Sequence, residues 1–189
     1  MITDLKINAE RKQFYYEKGY WTEKTLGDVW ADRVASHPER TYVSDDQGSS
    51  YTYGEIDDKA ARLAAWLVEQ GVAPGDVVTF QMPTWAEFCI VYVAALKAGA
   101  VMHPLPRNFN DADLVYGMNL VGSRAFICPT KVAKVDFESQ ILSIVDQIPT
   151  LGPVALVDKA APKHSELPTV AEICARYEPI EYPLSLIHI

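Results

Sequence analysis

The chain has 189 residues, of which 49% are hydrophobic and 22% are charged, and its formal net charge is −8. This composition is typical of a folded globular protein and excludes a largely disordered chain. The acidic balance, without any run of basic residues, disfavours electrostatic binding to nucleic acid or to an anionic membrane surface. A small anionic ligand stays compatible with this charge, because it needs only a local positive site.

The longest apolar run, residues 88–96, is well short of the roughly 20 residues that a transmembrane helix requires. The amino terminus lacks the apolar stretch of a secretory signal, so we expect a cytoplasmic protein. The three cysteines, Cys89, Cys128 and Cys174, are widely spaced and lie among apolar residues. We therefore expect reduced, packed thiols rather than a disulfide framework.

The first part of the chain predicts a leader followed by one helix and a hairpin. Residues 7–24 form a polar segment for which no element is predicted, and Thr25 then has the position of a helix cap. Residues 41–44 and 50–53 favour strand and are joined by a polar tetrapeptide that ends in glycine. This pattern predicts a β-hairpin.

From Thr52 onward the sequence predicts a regular alternation of helices and strands. Thr52 and Glu55 have the spacing of a capping box, and the amphipathic segment after them ends at Gly71. Residues 77–80 then have the branched and aromatic character of a strand. The same order recurs along the chain, with further strands predicted at 100–102, 125–128 and 153–157 and a further helix at 137–148.

Three more helix starts are predicted in this part of the chain. Thr84 and Glu87 repeat the capping-box spacing, as do Thr169 and Glu172, and Asn110 has the position of a cap. Since parallel strands need crossover connections, the alternation predicts an α/β fold. We expect a mainly parallel sheet with helices on both faces.

Parallel sheets bind ligands beyond the carboxyl ends of their strands, so residues 81–84, 103–109 and 128–131 are candidate binding loops. Simple connection between elements is the alternative. His103, at the predicted end of a strand, could hydrogen-bond a substrate or nucleotide, or its nitrogens could be satisfied by nearby backbone. Arg107 could bind a phosphate, because a guanidinium fork suits that geometry, or it could be a solvated surface side chain.

Common catalytic motifs are absent from the sequence. It contains no G-x-G-x-x-G phosphate fingerprint and no G-x-S-x-G nucleophile elbow. The glycine spacing of residues 117–122 matches a phosphate loop, but Ser123 and Arg124 replace the lysine and hydroxyl residue that such a loop requires. We interpret this segment as a helix end. The histidines have no metal-ligand spacing with one another or with cysteine, so no metal site is predicted.

Two segments, residues 51–56 (YTYGEI) and 96–105 (LKAGAVMHPL), with residues 71–76 (GVAPGD) between them, resemble the first two core motifs of the adenylate-forming ligases. Their order and separation also match. This family includes acyl-CoA synthetases, aryl-acid ligases and the adenylation domains of peptide synthetases. With residues 80–88 (FQMPTWAEF), the pattern looks most like bacterial short- or medium-chain fatty acyl-CoA ligases. The leader at 15–21 (YYEKGYW) is also similar to that of aryl-acid ligases.

The resemblance implies a reaction of a small carboxylic acid with ATP, assisted by Mg, that gives an acyl adenylate and pyrophosphate. The acyl group then passes to coenzyme A. In the family this chemistry depends on a Ser/Thr/Gly-rich phosphate loop ending in Pro-Lys-Gly, a later glutamate for magnesium, an aspartate for the ribose and a lysine in a small carboxy-terminal domain. None of these motifs occurs here, so no catalytic residue is carried over. We expect the chain alone to be inactive and to bind none of these cofactors productively.

We divide the chain into a leader and helix (1–40), a partial α/β subdomain of the ligase amino-terminal domain (41–183) and a tail at a truncation point (184–189). The tail is apolar apart from Ser185 and His188 and carries no formal charge, which indicates either foreign residues or a native strand cut at a domain boundary. Two other hypotheses stay open. One is a fragment of an aryl-acid adenylating ligase, and the other is a complete, noncatalytic α/β binding module, which an exposed apolar end disfavours.

Overall fold

A computed structural model of the chain describes residues 8–159 and 166–180. Its helices are α1 (Ala9–Glu17), α2 (Leu26–Ser36), α3 (Tyr53–Glu69), α4 (Ala86–Lys97), α5 (Asp111–Val121), α6 (Phe137–Ile144) and α7 (Val170–Arg176). Its strands are β1 (Thr41–Ser44), β2 (Ser50–Thr52), β3 (Val77–Gln81), β4 (Val101–Leu105), β5 (Ser123–Pro129), β6 (Lys131–Val132), β7 (Val135–Asp136) and β8 (Val154–Val157).

Four strands form a parallel sheet in the order β4-β3-β5-β8. The pairs β1/β2 and β6/β7 are antiparallel hairpins, of which the first was predicted and the second was not. Helices α2, α3, α4 and α7 cover one face of the sheet through a large apolar cluster, and α5 and α6 cover the other through a smaller one. The predicted α/β fold with a parallel sheet between two helical layers is therefore confirmed.

The alternation of side chains along β5 shows how one strand serves both layers. Ala125 and Ile127 pack in the cluster on the α3 and α4 side, whereas Phe126 and Cys128 pack in the cluster on the α5 and α6 side. All four side chains are buried, as expected for a central strand of a parallel sheet. The three cysteines are free thiols, as predicted.

Local capping signals located four helix starts correctly. In each case the side chain of the predicted cap accepts a hydrogen bond from a backbone N–H of the first turn, at Thr25, Thr52, Asn110 and Thr169. Gly71 and Gly122 have φ angles of +86° and +65°, the left-handed conformation that ends a helix. The segment with phosphate-loop spacing is thus the end of α5, as interpreted.

The predicted cap of α4 is wrong. Trp85, rather than Thr84, occupies the N-cap position, and its side chain makes no capping hydrogen bond. The N–H of Ala86 instead donates to Oδ2 of Asp45 at a distance of 2.9 Å. Asp45 belongs to the turn between β1 and β2. Because this carboxylate reaches the helix from a distant part of the sequence, local spacing could not reveal it.

Other differences concern element bounds. Residues 9–17 form α1, although no element was predicted there; the side chain of Asn8 caps this helix and none of its residues is buried. Without a buried face it has no apolar stripe to detect. The helix predicted over 137–148 stops at Ile144 and continues as a 3₁₀ turn, Val145–Gln147.

The tail at 184–189 lies outside the described residues, so the proposed division of the chain stays a prediction. Within residues 8–159 and 166–180, no helix has both the length and the apolar character needed to cross a membrane.

Candidate functional site

An open cavity of about 740 Å³ lies at the edge of the sheet where the four parallel strands end. We call it the carboxyl-edge cavity. It is lined by the turn of the β1/β2 hairpin and by the segments that follow β3, β4, β5 and β8. These residues are Asp46, Gln47, Met82, Pro83, Thr84, Trp85, Arg107, Lys131, Val132, Ala133 and Lys159.

The three loops that the sequence singled out meet at this cavity. The first contributes Thr84, the second contributes Arg107 and the third contributes Lys131. Lys159 and the hairpin turn, which also line the cavity, were not predicted from the sequence. The position of Lys159 just after β8 is a signal that could have been used, whereas the approach of the hairpin is a tertiary contact with no local signal.

Cationic side chains outnumber carboxylates in the lining of the cavity, although the whole chain is acidic. Three cationic side chains line it, Arg107, Lys131 and Lys159, against one carboxylate, that of Asp46. Arg107 and Lys131 are exposed, and within the described residues neither side chain forms an ion pair. Unpaired cations around a concavity raise the local concentration of anions, so this arrangement suits an anionic ligand.

Lys159, by contrast, is held by several partners under the cavity. Its ammonium group lies 2.8 Å from Oε1 of Glu87 and 3.8 Å from Oδ2 of Asp45, and it donates to the hydroxyl of Ser49. It also lies 5.7 Å from the ring centroid of Trp85, within the range of a cation–π interaction. This lysine therefore connects the segment after β8 to the hairpin and to the start of α4.

Asp45 is the main acceptor of this network. Its carboxylate accepts hydrogen bonds from the backbone N–H groups of Ala86, Gln47 and Ser49 at 2.9–3.0 Å. The hydrogen bond from Ala86, followed by those within the turn and the nearby charge of Lys159, holds the pKa of Asp45 below its usual value. The carboxylate is therefore ionised at neutral pH and joins the hairpin to α4.

His103 does not line the carboxyl-edge cavity. The strand was predicted to end at His103, but β4 continues to Leu105, because it is an edge strand and tolerates Pro104. The Nδ1 atom of His103 lies 3.0 Å from the hydroxyl of Thr79, and burial lowers the pKa of the imidazole. The structure thus gives this ring a side-chain partner in the sheet, and its contact with a substrate stays a prediction.

Comparison with known proteins identifies the family. Residues 30–180 match the family of AMP-binding enzymes. A medium-chain fatty-acid–CoA ligase of Escherichia coli (strain K12) is 36% identical over 167 residues, which are 88% of this chain and 30% of that protein. A salicyl-AMP ligase / salicyl-S-ArCP synthetase of Mycobacterium tuberculosis is 28% identical over 172 residues, 89% of this chain and 30% of that protein.

A solved structure shows the same relationship. The apo structure of MbtA from Mycobacterium smegmatis superposes with a TM-score of 0.75 at 27% identity, covering 97% of this chain and 32% of that one. The chain thus spans about 30% of the length of the curated relatives named above. Its parallel sheet matches the amino-terminal domain of adenylate-forming ligases, and the chain belongs to the AMP-binding enzyme family.

Proposed function

We propose that this chain is the amino-terminal part of an ATP-dependent ligase that joins a fatty acid to coenzyme A. The observation that carries the proposal is the 36% identity to a medium-chain fatty-acid–CoA ligase over 88% of the chain. In the whole enzyme the acid reacts with ATP to give an acyl adenylate and pyrophosphate, and the acyl group then passes to coenzyme A. A cytoplasmic location, predicted from the sequence, is part of this proposal.

The motif residues of the chain support a framework role rather than a chemical one. Thr52 and Glu55 of the first motif form a reciprocal capping box at the start of α3. The N–H of Gly54 donates to the carbonyl of Pro38 at 2.9 Å, and a Cβ atom on Gly54 would lie 3.2 Å from that same oxygen. Gly99 of the later motif follows α4 with a φ angle of +68°. These residues shape the domain that would hold the reaction.

Arg107 and Lys131 are the residues of this chain that fit a phosphate-bearing substrate, ATP or coenzyme A. Both are unpaired within the described part of the chain and border the same cavity, and guanidinium and ammonium groups bind phosphate oxygens. For magnesium the fit is poor, because no group of three or more His, Cys, Asp or Glu side chains suited to a metal ion is found in residues 8–159 and 166–180. We assign no magnesium ligand to this chain.

The chain alone is expected to be inactive, since it contains no Ser/Thr/Gly-rich loop ending in Pro-Lys-Gly. ATP–pyrophosphate exchange with the purified chain and a panel of fatty acids tests this, and measurable exchange would contradict it. The decisive test of the assignment is the coding sequence that follows Pro183 in the source genome. An in-frame phosphate loop is expected there, and its absence would remove the ligase assignment.

An aryl-acid adenylating ligase is the second candidate. The 28% identity to a salicyl-AMP ligase over 89% of this chain favours it. The full-length enzyme should be assayed with hexanoate, octanoate, benzoate and salicylate at equal concentrations. Preference for octanoate supports the first proposal, and preference for salicylate or benzoate supports the second.

A noncatalytic α/β module is the candidate from another class. It requires a stable monomer that unfolds cooperatively, together with a source genome in which no ligase motif follows the chain. Aggregation, or a compact state without near-UV circular dichroism, would count against it.

A further inference from the structure

Arg107 lies at the corner of a tight turn just after β4. The N–H of Phe109 donates to the carbonyl of Pro106 at 3.2 Å, so residues 106–109 form a β-turn with Arg107 and Asn108 at its centre. The turn lies on the surface with Arg107 exposed. An exposed turn of this kind normally has few fixed partners and correspondingly high mobility.

Two glutamines from different elements hold both ends of this turn. Gln81, the last residue of β3, is completely buried, and its Nε2 donates to the carbonyl of Pro106 at 2.8 Å. Gln140 on α6 donates from Nε2 to the carbonyl of Phe109 at 3.4 Å and to Oδ1 of Asp111 at 2.9 Å. The carbonyls of the first and last residues of the turn are therefore both hydrogen-bonded to side chains, one from the buried Gln81 and one from the partly buried Gln140.

Each of these glutamines also has an amide oxygen that makes no hydrogen bond within the described part of the chain. Both of these Oε1 atoms are buried. Among the described residues, the side-chain amide of Gln81 therefore hydrogen-bonds only to the turn, at the carbonyl of Pro106. An apolar side chain would fill this interior position without an unpaired oxygen, so packing alone does not explain a glutamine here.

We propose that Gln81 and Gln140 are positioning residues that fix the Arg107 turn before a polyphosphate ligand binds. The inference rests on the proposed role of Arg107 as a phosphate contact. A guanidinium on a prefixed turn loses less conformational freedom on binding than one on a mobile loop, which increases affinity. Gln81 acts through the backbone of Pro106 and does not itself touch the ligand.

The test is a double-mutant cycle on the purified chain with inorganic pyrophosphate as the probe, measured by titration calorimetry. Arg107→Gln is expected to weaken binding by about tenfold, and Gln81→Met by about three- to tenfold. Gln81→Met should have no further effect in the Arg107→Gln background, because its role passes through the arginine. Gln70→Met, an exposed glutamine at the opposite edge of the sheet, is the matched control and should leave the Kd unchanged.

Hydrogen exchange of the Phe109 amide provides a readout that needs no ligand. Exchange should be faster in Gln81→Met and in Gln140→Met than in the parent chain and Gln70→Met. Gln140→Met also replaces Gln81→Met in the cycle if the latter does not fold. Unchanged exchange at Phe109, or an equal loss of affinity with and without Arg107, overturns the positioning role alone. If Arg107→Gln binds pyrophosphate as well as the parent chain does, the proposed phosphate contact fails and the inference fails with it.

Discussion

Lys159 and Lys131 border the same cavity but belong to two different regions of the molecule. Lys159 lies in the framework under the cavity, where Glu87, Asp45 and Ser49 all contact its ammonium group. Lys131 lies on the rim, exposed and, among the described residues, without an ion pair. In the framework the charged side chains join secondary-structure elements, whereas on the rim they are free to contact a ligand. This difference predicts that framework substitutions change stability and rim substitutions change ligand binding.

The largest effect is expected for Leu63→Ala in the core of the framework. Leu63 lies on α3 with 0% of its surface exposed, and its truncation should lower the free energy of unfolding by about 2–5 kcal/mol through lost burial and a residual cavity. Denaturant unfolding followed by circular dichroism measures this loss. Leu120→Ala on α5, where 70% of the side chain is exposed, is the control and should change stability by less than about 0.5 kcal/mol. Equal losses would contradict the assignment of the core.

Asp45→Ala tests the joint between the hairpin and α4. It removes the acceptor of three backbone N–H groups, one of which belongs to Ala86 at the start of α4. The free energy of unfolding should fall by about 1–3 kcal/mol. Because the pKa of Asp45 is lowered by folding, its contribution is present above the unfolded value of about 3.9 and is lost as pH falls through the lower folded value. Asp45→Asn keeps an acceptor oxygen and should lose this acid dependence. Unfolding curves between about pH 2 and 7 measure both effects.

The contrast between Asp45 and the local caps shows how much of the fold the sequence could predict. At Thr25, Thr52, Asn110 and Thr169 the capping partner is three residues away, so spacing alone located the helix starts. The α4 start was assigned to the wrong residue because its acceptor comes from a hairpin 41 residues earlier. Helix α1 was missed because it buries no residue and therefore has no apolar period.

The candidate site, like the fold, could be predicted only in part from the sequence. The rule that ligands bind beyond the carboxyl ends of parallel strands brought Arg107 and Lys131 into view, because it depends only on strand order and direction. His103 was placed at a strand end because proline usually interrupts a strand, but an edge strand can accommodate it. The hydrogen bond of Gln81 to Pro106 spans 25 residues and depends on how β3 and β4 pair, which spacing does not encode.

Lys159→Met should lower stability less than the core truncation. The substitution removes the ammonium group that contacts Oε1 of Glu87. The other oxygen of this carboxylate, Oε2, is buried and already has no hydrogen-bond partner among the described residues. The expected loss is about 1–3 kcal/mol, and high salt should change it little because the pair is mostly buried. Thermal unfolding at low and high salt measures it. If the variant is as stable as the parent chain but binds pyrophosphate more weakly, Lys159 belongs functionally to the rim and not to the framework.

Lys131→Met is the matched substitution on the rim and should have the smallest effect on stability, within about 0.5 kcal/mol. Its effect should be on pyrophosphate binding, which we expect to weaken by about threefold at low salt, since one exposed charge is worth little in high dielectric. Salt should reduce this difference between parent and variant, because exposed charges are screened over about 10 Å at 0.1 M ionic strength. Titration calorimetry at two salt concentrations tests both expectations. If Lys131→Met destabilises the chain as much as Lys159→Met does, the two lysines share one structural role, and the distinction between framework and rim does not hold.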